Sequence, residues 1–128
     1  MEVHDYMHYG FAKVLFAVCL EDGQIDYAEK KCIKQSIERV MKEKQLDLSM
    51  VLIVFNQLEK YNTQSPQNLL ENGIHDFHLG DDYLTSELAS IYRSILIDVM
   101  SAEAPMTPGE LQIGRDFMLY LNERENCD

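Results

Sequence analysis

Glu21, Asp22, Asp26 and Glu29 place four carboxylates around one short turn. Negative charges held that close repel one another unless a counter-charge sits among them. A hard divalent cation such as Ca²⁺ or Mg²⁺ takes oxygen ligands, so two or three of these groups with backbone carbonyls and water would form a weak site. The segment Asp22-Gly23-Gln24-Ile25-Asp26-Tyr27-Ala28-Glu29 has a looser counterpart in Glu103-Ala104-Pro105-Met106-Thr107-Pro108-Gly109-Glu110. The candidate metal ligands are therefore Asp22, Asp26 and Glu29, with Glu103 and Glu110 in the second copy. The same residues also suit a structural role. Asp26-x-x-Glu29 and Thr107-x-x-Glu110 both have capping-box spacing, Pro108 stands at the favoured first helical position, and Met106 with Leu111 makes a hydrophobic staple. Negative charge there complements the helix dipole as well. Capping alone and capping with a cation are both open readings. An EF-hand is excluded, because positions one and three of its loop would fall on Val18 and Leu20, which have no oxygen to offer.

Other constellations are weaker. His4 and His8 stand one helical turn apart and could chelate a transition metal with Asp5, although on a helix surface they read more simply as boundary residues. His75, Asp76, His78, Asp81 and Asp82 have ligand chemistry but fall in a segment of uncertain shape. No Ser-His-Asp order, glycine-rich phosphate loop or activated-cysteine context occurs, so no catalytic residue is assigned and an enzyme is not expected. Cys19 and Cys32 occupy core positions, and with Cys127 they form an odd set without metal-ligand spacing, which fits reduced thiols in a cytoplasm. Lys30, Lys31, Lys34, Arg39, Lys42 and Lys44 gather on one segment. Such a strip is either a solvated face or a docking surface for a protein partner.

The elements that carry these groups repeat. Subtracting 22 from 103, or 29 from 110, gives an offset of 81. At that offset Val14, Leu15, Phe16, Val18 and Cys19 fall on Ile95, Leu96, Ile97, Val99 and Met100, while Ile25 falls on Met106 and Cys32 on Ile113. Two diverged copies of one helical hairpin follow, each burying its apolar face against its sister. Val3, Met7, Phe11, Val14, Leu15 and Val18 recur at helical spacing, and Gly23 ends that helix. Asp26 caps a second helix running to about Lys44, with Ile33, Ile37, Val40 and Met41 inward. From Asp47 to about Tyr61 the apolar run Met50 to Phe55 suits a buried helix or a buried strand, and the absence of any strand to pair with it selects the helix. Ser65 and Pro66 start a short helix that Gly73 stops, and Gly80 closes an irregular, mobile bridge between the halves. Asp82 opens a long helix lined by Leu84, Leu88, Ile91, Ile95 and Val99. Thr107 opens the last, with Leu111, Ile113, Phe117, Met118 and Leu121. The expected fold is all-α, with six to seven helices and two pseudo-repeated hairpins packed as a bundle, and residues 1–128 form one domain.

Composition narrows the partners. At 128 residues and 46% hydrophobic the chain suffices for one core. A formal charge of -11 repels phosphate backbones and anionic membranes, so nucleic acid is not expected as a partner. No stretch approaches the length of a membrane span, and the acidic, histidine-bearing start is unlike a signal peptide, so no membrane insertion is expected.

An apolar helix ending in Asp22-Gly23, an apolar Ile25 two positions later and Glu29 at the start of the next helix, repeated imperfectly 81 residues on, resembles the TerB-like family named for tellurite resistance. The N-terminal domain of the membrane-anchored co-chaperone DjlA is similar. The resemblance implies an all-helical domain of two pseudo-repeated halves that serves stress or metal-response systems as a binding module. Its suspected cation-binding positions fall on Asp22 and Glu29, and on Glu103 and Glu110. The second half departs from the pattern, with Glu103-Ala104 in place of Asp-Gly and Pro105 following.

Overall fold

A computed structural model describes residues 2–21, 25, 27–102 and 106–125. Among them the chain is all-helical, with six α-helices and no strand, packed as a bundle. The helices are α1 (Val3–Leu20), α2 (Tyr27–Lys44), α3 (Ser49–Tyr61), α4 (Pro66–His78), α5 (Ser86–Met100) and α6 (Pro108–Arg124), with a single 3₁₀ turn at Asp81–Tyr83. None of them is long and apolar enough to cross a membrane.

Local chemistry sets most of the boundaries. Ser65 Oγ accepts from the Asn68 amide at 3.2 Å ahead of Pro66, and Thr85 Oγ1 accepts from the Leu88 amide at 3.1 Å, so short hydroxyl side chains satisfy amides that a helix start leaves without partners. Asp82 therefore does not open α5 as its position suggests; it lies in the 3₁₀ turn, and Thr85 makes the cap. The end of α2 is set differently. Gln45 adopts a left-handed conformation, φ 51°, which ends the helix without a glycine.

Packing turns the two hairpins into an exchanged pair. α2 lies across α5, α6 lies across α1, and α1 touches α5 directly. Each second helix thus covers the first helix of the other copy, and α6 packs on its own α5 as well. Phe11 and Tyr92, 81 positions apart, meet at the centre with ring centroids 4.6 Å apart and planes tilted by 51°. Phe77 and Phe117 complete the aromatic cluster, with centroids 5.3 Å apart. Of the residue pairs expected from the offset, Val14 and Ile95, Leu15 and Leu96, Val18 and Val99, and Cys19 and Met100 are all buried. Phe16 and Ile97 part company, at 3% and 50% exposed.

The segment between the halves explains that divergence. Between Asn62 and Asp82 the short helix expected to start at Ser65 and Pro66 and to stop at Gly73 runs on to His78 as α4, and α4 makes the most extensive helix contact in the molecule, with α1. Gly73 does not stop this helix. It sits within α4 facing Gly10 of α1, and a Cβ on Gly10 would overlap the Gly73 carbonyl oxygen and stand 2.6 Å from the Phe77 nitrogen. A glycine that reads as punctuation is instead what lets two backbones touch. α3 closes the opposite flank of α1, where Phe55 meets Phe16 edge-on with centroids 5.3 Å apart. The apolar run in α3 is helical, as expected, yet only one side of it is covered: Val51, Val54 and Phe55 are buried while Ile53 is 57% exposed.

Candidate functional site

Glu21 at the end of α1 and Glu110 in the first turn of α6 lie at the same end of the bundle. Asp22, Asp26 and Glu103 fall outside the described residues, as does Gly23, the expected stop of α1. Glu29 and Glu110, the pair matched by the 81-residue offset, are both buried, at 1% and 4% exposed. Burial of two carboxylates at equivalent places is uncommon for surface capping, since Glu is seldom fully buried unless partnered. In the second junction the partner is explicit. Thr107 Oγ1 accepts from the Glu110 amide at 3.1 Å and Glu110 Oε1 accepts from the Thr107 amide at 3.2 Å, a complete capping box with Pro108 beside it. Met106 and Leu111 are both partly buried against the core, as a staple requires.

One contact was not anticipated from the sequence. The carboxylate of Glu21, at the end of α1, fills the space over Gly109 that any side chain there would occupy. The first acidic junction therefore leans on the first turn of α6, where the helix dipole favours a negative charge. Glycine at position 109 permits this approach. Nothing local marks it, because the two residues lie far apart along the chain. Among the described residues no group of three or more His, Cys, Asp or Glu side chains is arranged to hold a metal ion, and three of the five candidate ligands lie outside those residues.

The two histidine groups resolve into structural networks. His8 is not a surface boundary residue: it is buried, and its Nδ1 lies 2.7 Å from the Tyr92 hydroxyl. Burial lowers its pKa below the usual 6.5, with His4 acting in the same sense and Asp5 and Asp47 opposing. His4 stays exposed and meets the Tyr83 ring edge-on, while Asp5 accepts from the Glu2 amide at 3.0 Å at the start of α1. The second group is dispersed. Asp76 pairs with Lys13 at 2.6 Å, His75 is exposed, and His78 Nδ1 lies 2.9 Å from Asp81 Oδ2. Asp81 is buried and accepts from the Tyr120 hydroxyl, with the Arg124 guanidinium 3.9 Å away, so it clasps the 3₁₀ turn to α4 and α6. Desolvation, followed by the Asp81 carboxylate, raises the Tyr120 pKa, which keeps this phenol a donor. Asp98 is a further hub: Ser36 Oγ donates to it at 2.9 Å and Arg39 at 2.6 Å, and the Cys32 thiol donates to its carbonyl at 3.2 Å, joining α2 to α5. Burial pushes that thiol's pKa up, which makes it a poorer nucleophile.

No family model matches the chain, and no curated protein or solved structure matches it.

Proposed function

We propose that the chain is a cytoplasmic, TerB-like helical binding module of a stress or metal-response pathway, taking a divalent cation weakly where its two acidic helix junctions meet. The observation that carries this reading is the reach of Glu21 from the first junction onto Gly109 of the second, beside Glu110. Glu21 and Glu110, remote in sequence, thereby lie at one end of the bundle, and a Ca²⁺ or Mg²⁺ ion would relieve the repulsion among them and their acidic neighbours in the chain. The residues assigned to the ion are Asp22, Asp26 and Glu29, with Glu103 and Glu110. No catalytic step is assigned.

Calorimetry of the wild type at millimolar Ca²⁺ or Mg²⁺ should give a weak saturable heat that Asp22→Asn with Glu29→Gln removes without loss of helical signal. A silent titration and an unshifted melting temperature would defeat the cation. The second reading, a helical protein-interaction domain with purely structural junctions, is favoured by one observation: Glu110 is already occupied by the Thr107 amide. On that reading the double variant costs about 0.5–2 kcal/mol of stability through lost capping and changes no ion response.

A further inference from the structure

The charge on this chain is sorted. α2 carries six basic and three acidic residues, a net of +3, so the remaining five basic and 19 acidic residues amount to -14. Beside that basic helix is a cleft of about 320 Å³ between α2 and α3. Ile33, Leu52 and Phe55 give it an apolar floor, Lys30 and Lys34 form one wall and Asn56 the other. The floor is rigid, because Phe55 is held edge-on against Phe16 in the core. Ile53, exposed on α3, lies one helical turn from Asn56 and extends apolar surface beyond the cleft.

We infer that this cleft docks an acidic segment of a partner protein, which seats one apolar or aromatic side chain on the floor and lays its carboxylates along Lys31 and Lys34. Two properties select that occupant. The basic helix is net positive on a chain that is otherwise net negative, so an acidic segment is steered toward this strip. The apolar floor offers what a purely electrostatic contact lacks, a pocket for an anchor side chain. Lys31 and Lys34 are exposed and make no ion pair among the described residues. Lys30 is paired with Glu59 across the cleft, but both side chains are well exposed and such a pair contributes little, so an incoming carboxylate can replace Glu59. A long polyanion such as nucleic acid would overrun the strip onto the acidic surface. The inference does not depend on a cation at the junctions.

The test uses the full chain and a fluorescein-labelled synthetic peptide of Asp and Glu around one central Phe, followed by fluorescence anisotropy at low and at physiological salt. Saturable binding that weakens with salt is expected, falling roughly tenfold for Lys31→Glu with Lys34→Glu, and also when Ser replaces the central Phe of the peptide. Asn56→Trp, which fills the cleft from its exposed wall, should weaken binding while the helical signal is kept. Binding by the wild type should be the same in millimolar Ca²⁺ or Mg²⁺ and in EDTA, which separates failure here from failure of the junction reading. Equal binding of the Phe and Ser peptides, or indifference to the lysine and Asn56 variants, would overturn the proposal. Sedimentation showing self-association of the wild type that Lys31→Glu with Lys34→Glu abolishes would give the cleft to a second copy and overturn it equally.

Discussion

α1 and α5 are the same helix twice, yet one is enclosed and the other forms an outer wall. Phe16 and Ile97 occupy equivalent places, and α3 covers the first while solvent meets the second. The residues nearest the shared axis, such as Phe11 and Tyr92, kept equivalent surroundings because each copy supplies the other's cover. Those facing outward diverged because α3 and α4, inserted between the hairpins, pack chiefly on α1. A repeat stays symmetric where its copies touch and loses symmetry where something else does.

The comparison breaks most sharply at that pair. Phe16→Ala should cost about 3–5 kcal/mol by chemical denaturation, through lost burial and the cavity left behind. Ile97→Ala should stay within about 0.5 kcal/mol, as exposed substitutions generally do. Similar losses at both positions would mean that the outer face of α5 is covered after all.

Next in size is the difference between two glycines. Gly10→Ala drives a methyl into the backbone of α4 and should destabilise by about 1–3 kcal/mol, because neither helix can yield without parting from the other. Gly114→Ala meets only the end of the Met100 side chain, which has rotamers to retreat into, and should cost less than half as much in the same denaturation series. Equal costs would show that the contact of α5 with α6 is as unyielding as that of α1 with α4.

The smallest expected effect sharpens the same contrast through pH. His8 is buried in the first copy, and its equivalent at the offset of 81 is the buried Ala89. A histidine whose folded pKa lies below 6.5 is stabilising while neutral, so its contribution is complete above that pH and is lost as pH falls toward the folded value. Thermal melts between pH 7.5 and pH 5.5 should therefore show His8→Gln losing less stability on acidification than the wild type. Parallel curves would assign the acid response to other groups.

Much of this architecture was legible in the residues themselves. The span of α2 and the paired burial at the offset follow from hydrophobic period, and the Thr107-Pro108-x-Glu110 start of α6 from capping chemistry, both of which act over a turn or two. What escaped was whatever a distant neighbour decides. Gly73 reads as a stop until Gly10 is seen opposite it, and the apolar run of α3 reads as buried on all sides until Ile53 is seen to be exposed. Within the candidate site, the burial of Glu29 and Glu110 is consistent with their place in the repeat. The meeting of Glu21 with Gly109 needed the assembled bundle.

The exchange of second helices between the copies also bears on how the chain becomes a protein. α1 takes most of its cover from the intervening α3 and α4, but α6 still reaches back onto it, and α2 finds its main partner in α5. Contacts that join the extreme ends of the chain must close a long loop, which slows folding relative to bundles assembled from neighbours. They also bind the fate of the two halves together, so the molecule is expected to melt as one cooperative unit, and α2 is left without its main partner until α5 has been made.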